Sequence, residues 1–350
     1  MTSLAAARLG INCHIFSPDA DSPAFAVSAA HTCAAYDDET ALAAFARSVD
    51  AISFEFENIP ADSVRILADL VPVRPAWTVL EIAQERVAEK SFFNRLGIAT
   101  AAWRAIHDVK DLRQAVGELG LPAILKTCRF GYDGKGQIKI DKDSDLARAW
   151  DAMAGGPAIL EGFVDFVMEA SVLVARGLDG DIACYDVVEN RHRQHILDVT
   201  IAPAALPPSV VKQAQEMAIV AATSLDLVGL LAVELFVSGD GQLLVNEMAP
   251  RPHNSGHWTM NACYTDQFEQ FVRAVCGLPL GSPERFADAV MTNLIGDDVA
   301  RWPEFLAEAG TAVHLYGKTD ARPGRKMGHI TRIKPRTDYP LGTMDHKSRQ

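Results

Sequence analysis

Residues 227–252, LVGLLAVELFVSGDGQLLVNEMAPRP, constrain the fold more than any other stretch. Two runs rich in Leu and Val flank Ser238-Gly239-Asp240-Gly241, a turn-forming quartet, so the segment reads as an antiparallel hairpin buried on both faces. A four-residue loop pairs Val237 with Gln242, and side chains paired across an antiparallel ladder share a face. Glu234 then stands opposite Val245 and diagonal to Glu247, with the two residues roughly 7–8 Å apart at Cα. Buried like charges repel strongly unless a cation lies between them. Two carboxylates beside the Asn246 amide oxygen form a hard-oxygen set that suits Mg²⁺ bridging phosphates. A single bulge turning one glutamate to solvent would undo the pair, and spacing alone leaves that alternative standing.

LKTCRFGYDGKGQIKI, residues 125–140, is a second hairpin signal. Its flanks, Ala123–Lys126 and Gln137–Ile140, read as short strands, and the loop between them holds three glycines with charge of both signs. A Walker-type phosphate loop is excluded, because Arg129 stands where its first glycine belongs and Gly136 where its hydroxyl belongs. The dinucleotide fingerprint also fails, since Lys139 replaces the third glycine. Two readings remain: an ordinary turn, or a flap whose backbone N–H groups fold over a polyphosphate.

Charge narrows the partners. The net charge of −12 argues against a nucleic-acid or anionic-membrane surface, so an anionic small molecule would need a local basic pocket. No apolar run approaches the roughly 20 residues of a membrane span. The six cysteines are scattered without a C-x-x-C pair, which suggests neither zinc nor a disulfide framework and fits a reducing cytoplasm. The opening MTSLAAARLG is too short and weakly apolar for a secretory signal.

At 350 residues the chain suggests two or three domains. Its first 80 residues alternate helix and strand: a helix ending at Gly10, a strand at 12–16, a helix near 39–48, a strand at 51–54, a helix near 61–69 and a short segment at 71–74. That pattern predicts a small doubly wound α/β domain. It begins as the second half of a β-α-β unit, with the first strand and the loop entering the helix missing. SFEFENIP puts Glu57 at a strand's C-terminal end, where ligands of open sheets sit, although a solvated acidic turn explains it as well. From QERVAEK onward a compact α+β module of about 80 residues carries the flap. Antiparallel stretches follow beyond Phe166.

RPHNSGHW, residues 251–258, gathers Arg251, His253, Asn254, Ser255 and His257, a donor density suited to a small oxyanion. His257 is equally compatible with a structural role. A serine or cysteine nucleophile is weakly supported, because spacing shows no base and orienter. The late segment GKTDARPGRKMGHITRI is basic within an acidic chain, so Arg325, Lys326 and Arg332 read as binders of phosphate or carboxylate.

Taken in order, Lys126, GYDGKGQ, ILEGFVDFVMEAS, VVENRH, AVELF, VNEMAPRPHNSGHWT and GRKMGH resemble the ATP-grasp superfamily. Within it the chain is similar to the N5-carboxyaminoimidazole ribonucleotide synthases of purine synthesis, over nearly its whole length. The resemblance implies an α/β and α+β architecture: a Rossmann-like domain over 1–85 lacking its first strand and glycine-rich loop, a lid over 86–165, and an ATP-grasp C-terminal domain over 166–350. It implies Mg²⁺ and ATP as cofactors, with Arg86 and Lys126 on the phosphates under a flap of Gly131, Tyr132, Asp133, Gly134, Lys135, Gly136 and Gln137. The hinge Glu161, Gly162, Phe163 and Val164 would read adenine through its backbone. Glu169 would hold the ribose and His192 would lie close to the nucleotide. Glu234 and Glu247 would bind the metal, with Asn246 beside them.

The resemblance further implies that Arg251, His253, Asn254, Ser255 and Lys326 hold bicarbonate and its phosphorylated form. Glu57, Tyr132, Asp133, Arg325 and Arg332 would face 5-aminoimidazole ribonucleotide. The implied partners are small molecules and a second copy of the chain, a cytoplasmic homodimer, with no nucleic acid and no membrane. Members of the family open with a strand and a glycine-rich loop resembling GGGQLGRM, and this chain starts at the methionine that closes it. Two rivals stand beside this reading. Formate-dependent glycinamide ribonucleotide transformylases share a PRPH run but would show Asp-Thr where this chain has Asn254-Ser255. A nucleotide-binding protein without turnover would follow if the missing start disables catalysis.

Overall fold

The computed structural model describes residues 1–131, 135–153 and 156–337. Helix α1 (Thr2–Arg8) leads into β1 (His14–Ser17), which pairs in parallel with β2 (Ala30–Cys33). Gly10, at φ +73°, follows the α1 cap and turns the chain out of the helix. Helices α2 (Glu39–Ala46), α3 (Ala61–Ala68) and α4 (Trp77–Gln84) complete this unit. The strand expected at 51–54 shrinks to one parallel bridge between Ile52 and Val73, which still closes a small core with Leu42, Phe45 and Leu67. Nothing in the polar, largely exposed sequence AHTC marks β2 as a strand.

Next come α5 (Arg86–Arg95), β3 (Trp103–Ile106), α6 (Val109–Leu119), β4 (Ala123–Thr127), β5 (Gln137–Ile140), α7 (Leu146–Ala152) and β6 (Ala158–Gly162). The strands form an antiparallel sheet in the order β3-β6-β4-β5, packed on α6 and α7 through Ile106, Leu112, Leu125 and Ile140. Lys126 pairs with Gln137 at the end of β4–β5, so the glycine-rich segment springs from a regular ladder.

The rest of the chain builds a nine-stranded antiparallel sheet. Its elements are β7 (Met168–Arg176), β8 (Ile182–Cys184), β9 (Val188–Arg193), β10 (Ile196–Ala202), α8 (Pro208–Ser224), β11 (Gly229–Val237), β12 (Leu243–Ala249), α9 (Thr259–Ala262), α10 (Gln267–Cys276), β13 (Ala287–Ile295), α11 (Trp302–Ala307), β14 (Thr311–Leu315) and β15 (Lys326–Pro335). The order is β12-β11-β7-β9-β10-β13-β15-β14, with β8 beside β7. Alternate residues serve opposite faces. Val172, Val174, Leu231 and Val233 pack with α8 and with Phe92 and Phe93 of α5, while Leu173, Ala175, Leu230 and Ala232 pack with Trp258 and Phe271.

The β11–β12 hairpin departs from its expected register. Asp240 Oδ1 accepts the Gln242 N–H at 3.2 Å and also bonds the Ser238 hydroxyl, drawing Gln242 into the loop. Val237 therefore pairs with Leu243 in place of Gln242. A bulge at Asn246 then shifts the ladder once more, and Glu234 stands directly opposite Glu247, where a diagonal was expected.

Candidate active site

Each carboxylate of the hairpin meets a nitrogen-bearing side chain. Glu247 Oε2 lies 3.2 Å from Arg86 Nη1, and Glu234 Oε1 lies 3.1 Å from His253 Nε2. Burial works against ionisation of Glu247, yet Arg86 and then Lys126 hold its carboxyl below the usual range. Asn246, the bulge residue, has a buried side-chain oxygen with no hydrogen-bond partner among the described residues. Two facing carboxylates and an orphaned amide oxygen fit Mg²⁺, which takes few protein ligands and completes its shell with water and phosphate oxygens. The described residues hold no cluster of three or more His, Cys, Asp or Glu side chains suited to a metal, so any cation here would need such outside oxygens.

Lys126 projects from the last turns of β4 and is held by Glu161, Nζ to Oε2 at 2.8 Å. Glu161 is 3% exposed; burial opposes its charge, but Lys126 and Lys90 keep its carboxyl low. Its side chain thus orients a lysine, a task the sequence does not advertise. Within the hinge, the N–H groups of Gly162 and Phe163 donate to Ala102 O at 2.8 Å and Pro122 O at 3.2 Å. Those two amides are therefore already occupied within the protein.

The stem of the flap is tight. A Cβ on Gly131 would sit 3.1 Å from Arg86 Nη2, and one on Gly136, at φ +71°, would sit 2.6 Å from Thr127 Oγ1. Glycine is thus required at Gly136 by close approach and positive φ, while Gly131 leaves a side chain little room. Tyr132, Asp133 and Gly134 lie outside the described residues.

The segment 251–257 wraps against the same hairpin. His253 Nδ1 is 2.8 Å from Ser255 Oγ, which accepts from Ser171 Oγ at 2.7 Å. Asn190 Nδ2 donates to Ser171 Oγ at 2.9 Å while its Oδ1 accepts from Thr200 Oγ1 at 2.9 Å, extending a polar row across β7, β9 and β10. The Glu234–His253–Ser255 order has the outline of a nucleophile triad, but Ser255 is fully buried and cannot meet a substrate as a nucleophile. Gln267 clamps the segment: its Oε1 accepts the His253 N–H at 2.8 Å, and its Nε2 donates to His253 O at 2.8 Å and His257 Nδ1 at 2.7 Å. His257 is buried and pushed well below its ordinary range, first by desolvation and then by His329, which marks a neutral structural imidazole. The Asn254 amide exchanges two hydrogen bonds with Asn293, at 2.8 and 3.0 Å.

Other candidates lie around this centre. Arg251 forks onto Glu57, Nη2 to Oε2 at 2.7 Å, tying the first unit to the oxyanion segment. Glu169 bonds His192 Nδ1 at 2.7 Å. Burial opposes the His192 imidazolium, but Glu169, and Glu234 beyond it, raise its pKa overall, while the neighbouring Lys326 pulls the other way. Arg332 is not brought to the cluster by any contact: it grips Glu308 bidentately at 2.7 and 2.9 Å on the rim. Arg325 donates to Asp320 O at 3.1 Å.

Sequence reasoning missed Lys90, Glu89, Gln267, Asn293 and Ser171. Lys90 is fully buried and donates to Asn246 O at 2.7 Å, and Glu89 accepts the Met248 N–H at 2.6 Å. Burial pushes Glu89 up to about 8 and Lys90 down. The available signal was positional: Arg86, Glu89 and Lys90 share one helix face, directly before the buried Phe92 and Phe93.

Comparison with known proteins agrees with this geometry. Residues 91–268 match the model of the ATP-grasp domain, residues 1–84 the ribonucleotide synthetase preATP-grasp domain, and residues 289–339 the phosphoribosylaminoimidazole carboxylase C-terminal domain. The chain is 48% identical over 339 residues to the N5-carboxyaminoimidazole ribonucleotide synthase of Brucella melitensis, covering 96% of this chain and 94% of that one. It is 42% identical over 350 residues to the enzyme of that name from Bacillus subtilis, covering 99% and 92%. A crystal structure of N5-carboxyaminoimidazole synthase from Aspergillus clavatus, in complex with ADP and 5-aminoimidazole ribonucleotide, superposes with a TM-score of 0.90 at 29% identity, over 96% of this chain and 90% of that one.

Proposed function

This chain belongs to the N5-carboxyaminoimidazole ribonucleotide synthase family of the ATP-grasp superfamily, and from that premise we propose its reaction. It carboxylates 5-aminoimidazole ribonucleotide with bicarbonate at the expense of ATP, giving N5-carboxyaminoimidazole ribonucleotide, ADP and phosphate. The observation that carries this reading is the Glu234–Glu247 pair, set between Lys126 and Arg86 on one side and the donor-rich segment 251–255 on the other.

Bicarbonate is a poor electrophile. One of its oxygens attacks the γ-phosphorus, ADP leaves, and carboxyphosphate results. The exocyclic amine then takes the carbonyl carbon, directly or as released CO₂; phosphate departs and the amine loses a proton. Glu234 and Glu247, with Asn246 beside them, would hold Mg²⁺, which when bound neutralises charge building on the transferred phosphoryl group. Lys126 and Arg86 supply fixed positive charge at the phosphates. The described ends of the glycine-rich segment, Gly131 and Lys135 to Gln137, would help keep water from the labile intermediate.

The backbone of the hinge Glu161 to Val164 meets the adenine, Glu169 the ribose, and His192 the nucleotide's edge. Arg251, His253, Asn254, Ser255 and Lys326 bind bicarbonate and carboxyphosphate, with the buried Ser255 acting through His253. Glu57 and Arg325 face the ribonucleotide together with residues 132 and 133; Arg332 does so only if it leaves Glu308. The working division is 1–85, 86–165 and 166–350. The reading includes a cytoplasmic homodimer, and the six free thiols fit a reducing compartment.

The test is ADP release. It should require both bicarbonate and 5-aminoimidazole ribonucleotide and ignore formate with glycinamide ribonucleotide. Release driven by the second pair, or ATP binding with no ribonucleotide-dependent turnover, would overturn the reading.

A further inference from the structure

Strand β12 is an edge strand of the large sheet: on its outer side Val245 bridges in parallel to Thr100 and its N–H donates to Ala99 O at 2.9 Å, and the Asn246 bulge disturbs the ladder on the other side. Helix α5 meets that edge with hydrogen-bonding side chains. Glu89 Oε1 takes the Met248 N–H, and Lys90 Nζ donates to Asn246 O at 2.7 Å and Val245 O at 3.3 Å. Arg86, on the same face, reaches Glu247. One helical face therefore grips β12 on both sides of its irregularity. Lys90 also lies 3.7 Å from Glu161 Oε1, while the other oxygen of Glu161 holds Lys126.

Glu89 and Lys90 are 2% and 0% exposed. Apolar residues of similar volume commonly replace a buried charged pair without loss of stability. Covering an edge does not by itself require this pair. We propose that Glu89 and Lys90 are positioning residues: they fix the bulge that sets Glu234 against Glu247, and Lys90 couples that bulge through Glu161 to Lys126. The inference rests on the magnesium role given above to the two glutamates.

The test follows Mn²⁺, a paramagnetic stand-in for Mg²⁺, binding to the full chain at saturating ADP by electron paramagnetic resonance, with thermal midpoints recorded alongside. Lys90→Met should weaken Mn²⁺ binding about 10–100-fold, the usual loss when a partner behind a metal ligand is removed. Glu89→Met should weaken it too, whereas Glu89→Gln, whose amide oxygen still accepts the Met248 N–H, should keep the parent's affinity. A lowered midpoint with Mn²⁺ affinity unmoved in Lys90→Met would mark a purely structural pair and overturn the proposal. Glu247→Gln is the control. If it too leaves Mn²⁺ binding intact, the magnesium reading falls and the inference with it; if it alone weakens binding, only the inference falls. Should Lys90→Met and Glu89→Met not fold, amide exchange in the parent decides: slow exchange at the Met248 N–H supports the grip, and exchange at the rate of an open amide overturns it.

Discussion

Two hairpins carry the candidate site, and they are built on opposite principles. In β4–β5 the ladder is regular from Ala123–Ile140 to Lys126–Gln137, and the special chemistry begins where the ladder ends, among glycines. In β11–β12 the loop is an ordinary Asx-type turn, and the special chemistry lies inside the ladder, at the bulge that pairs Glu234 with Glu247. In the proposed function the first hairpin would act through a segment whose glycines allow close approach to a ligand. The second would act through side chains whose separation is fixed by buried neighbours. A site for a large, flexible polyphosphate needs both: a cover, and a rigid floor.

If the ladder of β11–β12 is the floor, its carboxylates should be the least replaceable groups in either hairpin. Glu247→Gln keeps the shape but removes one of the two charges facing the proposed cation. ADP formation should fall at least about 100-fold, more than an indirect partner would cost, while the fold stays intact by circular dichroism. Normal activity at saturating Mg²⁺ would erase the distinction between the hairpins.

Lys126, at the end of the regular ladder, should come next. Lys126→Met removes a charged donor and leaves Glu161 with only Lys90, at 3.7 Å. A charge-assisted hydrogen bond contributes about 1.5–3 kcal/mol, so ATP affinity by calorimetry should drop about 10–100-fold. An unchanged affinity would confine Lys126 to a structural pair with Glu161.

The contrast also explains what could be read from the sequence. Glycine spacing marked the β4–β5 connection as a glycine-rich loop, because close turns and close approach announce themselves in composition. The β4 and β5 boundaries followed from β-branched runs, and the closing pair Lys126–Gln137 emerged as expected. A bulge has no such signature. Asn246 differs from any polar strand residue only through the ladder around it, so counting residues outward from the turn gave a diagonal pair of glutamates. Glu89 and Lys90 were hidden for a related reason: Glu and Lys are common on solvated helix faces, and only the packing of α5 on β12 shows these two buried. In the first unit, a two-stranded parallel pair and one bridge carry too little apolar alternation to be bounded reliably.

A smaller effect sharpens the cover. Gly136→Ala forces a side chain onto φ +71° and within 2.6 Å of Thr127 Oγ1, which should destabilise the chain by about 1 kcal/mol or more. In an ordinary turn that loss would be the whole result. In a cover over carboxyphosphate, ADP released per molecule of carboxylated product should rise as well, because the intermediate meets water before the amine. A coupling ratio equal to the parent's would return the β4–β5 loop to the status of a turn.

The smallest effect tests whether the rigid floor extends beyond β12 to its neighbours. Glu169 on β7 and His192 on β9 form an ion pair at 2.7 Å, and the carboxylate raises the His192 pKa against the opposing effect of burial. A histidine whose pKa is higher folded than unfolded stabilises the fold fully below its unfolded value near 6.5. That contribution is then lost as the pH rises through the folded value. The pair is partly exposed, so the contribution should stay under ~1 kcal/mol. In Glu169→Gln the raising influence is largely removed and burial remains. The His192 imidazole resonance should then titrate at a lower pH than in the parent, and the extra stability at acidic pH should shrink. An unmoved titration would mean that His192 takes its charge from elsewhere, and that the ordered electrostatics of this sheet stop at the Glu234–Glu247 bulge.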